Sequence, residues 1–328
     1  MDFKDCIIKG VRSVYRNVLH PQFILPTCIT ERQKSNNLIY NLLESDKPCM
    51  ISRFGTIEIG IVSNYLMIYK NKSLFSKILE YITDNVGLPW WDKLYFSSMK
   101  NNAGIFPENI DMLERFSKRY LQDIPEIDLL GSFNYAEKFM PLRNDVLYVH
   151  LECLYPFWCE NPWTLALKEK NILVIHPFVE TIEKQYKRRN LLFDNKDVLP
   201  DYNLKTLHAI QSNAGNDVPF KDWFEALKWM EDEIDKIDFD ICILGCGAYG
   251  LPLAAHIKRL GKKAIHMGGG TQLLFGIKGK RWDNNSYNWK QYPFLNTNYS
   301  SLYNDYWVRP SKNETPKAAS NVEGACYW

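Results

Sequence analysis

Gly245-Cys246-Gly247-Ala248-Tyr249-Gly250 keeps the spacing G-x-G-x-x-G, and Gly268-Gly269-Gly270 follows a short way on. An apolar, partly β-branched run over 238–244 leads into the first glycines, and a helical pattern over 251–260 leads away. Lys258 and Arg259 fall in the last turn of that pattern and Gly261 ends it, as the helix dipole and a glycine stop favour. A second strand is expected over 263–267. This order sets bare backbone N–H groups of Gly245, Gly247, Tyr249 and Gly250 at a helix N-terminus, where a diphosphate is favoured. Gly268, Gly269 and Gln272 would complete the cradle, and Lys278, Lys280 and Arg281 supply positive charge beside it. The same glycines also suit a purely structural tight turn.

Two further groups can do chemistry. Arg53-Phe54-Gly55-Thr56-Ile57-Glu58 joins an expected strand over 49–54 to an expected helix from 57 to about 67, with Thr56 as its N-cap. Arg53 could meet a phosphate there, and Glu58 a sugar hydroxyl or a metal; alternatively the pair only satisfies the helix dipole. His176 ends an expected buried strand over 171–175 and could serve as a general base, as a phosphate partner, or merely to orient its own loop.

These residues need a scaffold, and the alternation of expected strands and helices supplies one. Strands are read over 128–133, 145–151 and 204–212, with helices over 72–86, 108–122, 180–189 and 223–235. In the last of these, Trp223, Ala226, Leu227, Met230 and Ile234 form a core stripe. The expected fold is α/β: a Rossmann-like, mostly parallel sheet with helices on both faces and aromatic-rich insertions. If the strands are parallel, Arg53, His176 and Gly245 share the edge where such sheets bind ligands. Residues 1–45 read as a lead, irregular and then helical from an N-cap at Thr30. Residues 46–308 read as one domain, and 309–328 as a tail without regular structure whose Ala-Cys-Tyr-Trp end docks on the body or on a partner. Trp158 and Trp163, in an aromatic loop, either stack on a sugar or anchor that loop.

Composition excludes several classes. A net charge of +2 with no long run of one sign argues against nucleic acid as a partner. The eight cysteines show no CxxC spacing and read as reduced thiols of a cytoplasmic protein. No apolar run approaches the roughly 18 residues of a membrane span, which leaves peripheral contact at the inner membrane face open. An NAD-binding site normally carries an acid about 20 residues past its glycines. Here no carboxylate lies between Gly245 and Asp283, so NAD is not expected and a nucleotide diphosphate fits better.

The Arg53-Phe54-Gly55-x-x-Glu58 segment, joined to a late strand–GxG–helix–strand–glycine unit, resembles the GT-D fold glycosyltransferases of bacterial surface-glycan assembly, over roughly residues 45–285. The resemblance implies a UDP-type sugar donor, a glycan or lipid-linked glycan acceptor and a divalent metal near a D-x-E motif after Arg-Phe-Gly. This chain departs at that motif: Thr56 stands where the first carboxylate would be, leaving Glu58 alone to share Mg²⁺ or Mn²⁺ with diphosphate oxygens and waters. The implied chemistry is sugar transfer, with inversion, to an acceptor hydroxyl deprotonated by Glu58 or His176, while Arg53, Lys278 and Arg281 stabilise the leaving diphosphate. Another Rossmann enzyme, such as an oxidoreductase, or a non-catalytic nucleotide-sugar-binding protein are the alternatives.

Overall fold

Seven short apolar segments pair side by side: β1 (Cys49–Ser52), β2 (Leu129–Ser132), β3 (Leu147–His150), β4 (Asn171–His176), β5 (Asn203–His208), β6 (Ile241–Leu244) and β7 (Lys263–His266). The computed structural model describes residues 3–21, 23–213, 216–283, 292–295, 297–322 and 324–328. The sheet order is β3-β2-β1-β7-β6-β4-β5, and every ladder is parallel. A parallel sheet must be covered on both faces, so its central strands turn apolar side chains to both. In β4, Ile172 and Val174 join one core while Leu173 and Ile175 join the other.

The helices are α1 (Phe3–Leu19), α2 (Arg32–Glu44), α3 (Thr56–Tyr69), α4 (Leu74–Thr83), α5 (Leu94–Asn101), α6 (Ile110–Asp123), α7 (Val179–Tyr186), α8 (Trp223–Ile234), α9 (Gly250–Arg259) and α10 (Gly270–Leu274). Helices α3, α5, α6, α8 and α9 supply one core; α2, α7 and α10 supply the other. The expected stripe of α8 is buried. In α9, Leu251, Leu253 and Ile257 are fully buried, each contributing about 1.5–3 kcal/mol of transfer free energy. Gly261 takes φ +80° just past α9, the left-handed turn that ends a helix.

The structure differs from the sequence expectation in several places. The lead is helical from Phe3, not irregular, and α2 has Glu31 rather than Thr30 at its N-cap. Gly55, not Thr56, caps α3, and this N-cap makes no side-chain hydrogen bond. Helix α5 is an element not expected from the sequence. The tail is ordered by two 3-10 turns, Lys312–Glu314 and Ala319–Asn321, and it packs on the body. Residues 214–215 of the loop after β5, and 284–291 and 296 of the Tyr/Asn/Trp-rich region, lie outside the described residues.

Candidate functional site

A cleft of about 330 Å³ opens at the carboxyl ends of β1, β7, β6 and β4, four neighbouring strands. Parallel strands all point their carboxyl ends to one edge, and the chain after each strand must turn there, so residues far apart in sequence converge. Arg53, Glu58, His176, Gly245, Gly247, Tyr249, Gly268, Gly269, Gln272 and Arg281 all line it. Gly250 and Lys278 do not. Gly250 opens α9 against His266, where an added Cβ would come within 2.3 Å of Nε2. Lys278 lies with its Nζ 5.2 Å from the centre of the Tyr303 ring.

Glycine is needed here for close approach. A Cβ on Gly245 would meet His176 Cδ2 at 2.5 Å and Thr271 Cβ at 2.7 Å. Gly247, at φ +57°, has nothing within 4 Å of its missing side chain, and Gly268 takes φ +61° beside Arg53. The N–H groups of Cys246, Gly247 and Gly269 meet no acceptor among the described residues. Bare donors at strand ends form an anion-binding concavity.

Arg53 carries its guanidinium 5.0 Å from the centre of the Phe133 ring and makes no ion pair among the described residues. Glu58 is the only carboxylate lining the cleft among the described residues, and it is 8% exposed. Its side chain curls back over Gly55, with Oε2 only 1.7 Å from where a Cβ on that glycine would sit. Burial pushes the Glu58 carboxyl above its usual range, against a smaller downward pull from its own backbone N–H and Arg53. A desolvated carboxylate of this kind is a stronger base than one in water.

The two strand-final histidines that line the cleft, His176 and His266, are buried and neutral. His176 Nδ1 accepts the Phe178 N–H at 3.0 Å, which assigns the ring proton to Nε2. Burial, with His208 adding to it, lowers its pKa to about 3. His266 was not singled out from sequence, although it ends β7 as His176 ends β4. Its Nδ1 lies 3.1 Å from Ser52 Oγ, and burial followed by the Arg53 charge lowers it to about 3.

Other lining residues brace the wall. Tyr249 shares a 3.0 Å hydrogen bond with Ser212 and stacks on Trp223 at 5.0 Å. Gln272 donates to the carbonyls of Ile277 and Tyr327 at 3.3 and 3.1 Å. Arg281 donates to Tyr327 Oη at 3.1 Å. Tyr327 and Trp328 themselves line the cleft, and their apolar character in a polar tail is the signal that marks them. Trp158 and Trp163 do not line it. Trp163 is fully buried with Nε1 bonded to the Leu154 carbonyl at 2.9 Å, and Trp158 packs on Tyr299 and under Arg32.

Comparison of the chain with family models, with curated proteins and with solved structures returns no match.

The donor set in the cleft, among the described residues, is the Glu58 carboxylate with the guanidinium groups of Arg53 and Arg281 and two histidines held in hydrogen bonds. One carboxylate beside positive charge does not enclose a divalent cation, which would have to take the rest of its oxygens from a diphosphate and water. What the cleft offers is anion binding on backbone donors and Arg53, with a buried base beside it.

Proposed function

We propose that this protein is a glycosyltransferase that moves a sugar from a nucleotide-diphosphate donor to an acceptor hydroxyl, with inversion. The observation that carries the proposal is the meeting of Arg53 and Glu58, from one end of the chain, with the glycine-lined ends of β6 and β7, from the other, in a single cleft. Free N–H groups at the strand ends hold the diphosphate, with Arg53 facing the charge that grows on it as it leaves. The acceptor oxygen forms a bond to the anomeric carbon as the bond from that carbon to the diphosphate breaks. The bond electrons depart on the diphosphate, and the acceptor proton passes to Glu58. His176 is a hydrogen-bond donor to the substrate in this scheme, since its Nδ1 is occupied and its Nε2 carries the proton. A second cavity, of about 190 Å³, shares Thr56 with the first and is lined by Ser63, Asp92 and Tyr95. Its hydroxyl and carboxylate groups suit a sugar acceptor, as a glycan or a lipid-linked glycan. The oxidoreductase alternative lacks the ribose-binding acid, because β7 ends at His266 and runs into Met267 and Gly268.

The test is a thermal-shift screen of UDP- and GDP-sugars against NAD(P)H, each with Mn²⁺ and with EDTA, followed by turnover with the stabilising donor. A sugar nucleotide should raise the melting temperature and the dinucleotide should not. Glu58→Gln should keep donor binding and lose about 10²–10⁴-fold in turnover, the usual worth of a general base. Stabilisation by NAD(P)H alone, or full turnover in Glu58→Gln, defeats the proposal. Binding without any transfer or donor hydrolysis would leave a nucleotide-sugar-binding protein in its place.

A further inference from the structure

Helix α1 is amphipathic, but it faces the wrong way for an ordinary surface helix, whose apolar stripe turns inward. Phe3, Ile7, Val11, Val14 and Val18 recur at helical spacing and all are exposed. Beside them on the outer side lie Cys6, Gly10, Ser13 and Asn17, which are uncharged and exposed, and the exposed Lys4, whose Nζ is 4.6 Å from the centre of the Trp90 ring. The other charged side chains sit on the opposite side. Asp5 accepts Trp90 Nε1 at 2.7 Å, Lys9 pairs with Asp92 at 3.0 Å, Arg12 reaches the Asp84 carbonyl at 3.1 Å and Arg16 reaches Asn85 at 2.9 Å. The inner face is thus engaged, and no described residue covers the outer one.

The neighbouring helix α4 extends the surface with Leu74, Phe75 and Leu79, also exposed. Lysines stand next to the apolar tips: Lys4 beside Phe3, Lys70 and Lys72 just before Leu74, and Lys93 beside Leu94. Together α1 and the segment 70–84 hold seven Lys and Arg against three Asp and Glu, whereas the whole chain is only +2. Three of these cations, Lys9, Arg12 and Arg16, lie on the inner face, and Lys70 and Lys72 pair with Glu80, so on the outer side Lys4, Lys70, Lys72 and Lys77 stand against Glu80 and leave a net positive charge beside the exposed apolar face. Apolar tips ringed by lysines match the boundary between acyl chains and anionic headgroups. A second copy of this chain would present like charge to like charge there.

We propose that the outer face of α1, continued by α4, docks on an anionic lipid bilayer. No described helix is long and apolar enough to cross a membrane, so the contact is peripheral. The inference does not depend on the sugar-transfer reading, though the two meet at one point: Arg12, on the inner face of α1, lines the second cavity beside Thr56. Docking would bring that cavity close to the lipid surface.

The experiment is co-sedimentation of the full chain with vesicles of phosphatidylcholine alone and of phosphatidylcholine mixed with phosphatidylglycerol. Binding should favour the mixed vesicles and weaken with added salt. Val14→Glu with Val18→Glu, at side chains 63% and 68% exposed, should lower that binding about tenfold or more at an unchanged melting temperature. Phe75→Glu, at a position 78% exposed on the other helix, should do the same independently. Lys4→Ala with Lys72→Ala should lower it about three- to tenfold on the anionic vesicles only. Failure to sediment with anionic vesicles, or binding unchanged in both glutamate variants, overturns the proposal. So does a dimer in light scattering that the glutamate variants dissociate while lipid binding stays absent, which would make the face a self-association surface.

Discussion

Glu58, His176 and His266 are the ionisable groups through which the cleft responds to acid, and their effects on stability oppose one another. His176 and His266 have pKa values near 3 in the folded protein against an ordinary 6.5. The unfolded chain therefore binds more protons between those values. Their contribution is complete above pH 6.5 and is lost as pH falls toward 3, on the order of a few kcal/mol per ring. Glu58, Asp123 and Glu137 are shifted up by burial, so their protonation favours the folded state as pH falls. Melting temperature followed across that window should show a smaller acid loss in His176→Asn and in His266→Asn than in the parent. A slope unchanged in both variants would show that the rings are not neutral in the folded protein. For turnover the sign comes from Glu58: activity should fail with acid at a pH above the ordinary carboxylate value of 4.5.

Elements set where those groups stand, and two glycines separate catalysis from folding. Gly55→Ala brings a Cβ against the far end of the Glu58 side chain, at a backbone φ of −80° that alanine adopts freely. The carboxylate must swing away, so turnover should fall about a hundredfold or more while stability changes by about 1 kcal/mol or less. Gly250→Ala instead strikes the His266 ring, which is fixed by Ser52. It should cost about 1–3 kcal/mol of stability as overpacking. Chemical denaturation alongside an activity assay separates the two outcomes. Much of this geometry is legible in the sequence because β4 and β6 carry unbroken apolar runs over 172–175 and 241–244 that end at a histidine and a glycine, and β7 runs into glycines. Helix α1 is not: Gly10 and its β-branched residues are poor helix formers, and its stripe serves no core. His266 and Tyr327 also stay hidden, because each gains meaning only from partners far away in sequence. The capping of α3 by Gly55 rather than Thr56 follows from Glu58 needing the space above that glycine.

Across the whole molecule the cleft joins what the chain keeps apart. The tail closes one wall through Tyr327 on Gly269, where an added Cβ would lie 2.5 Å from the ring. The sheet itself is two three-stranded halves, β3-β2-β1 and β6-β4-β5, each laddered to β7 and not to the other. A nascent polypeptide thus makes six strands before the one that couples them emerges. Until residues 263–266 arrive, β1 and β6 are open edges with apolar faces, the pattern that invites intermolecular pairing. A fragment ending at residue 262 should accumulate as aggregate when expressed, and a soluble monomer of that fragment would contradict this. Synthesis of this protein therefore carries a late, single point of commitment, at which the sheet becomes continuous and the two sides of the cleft first face each other.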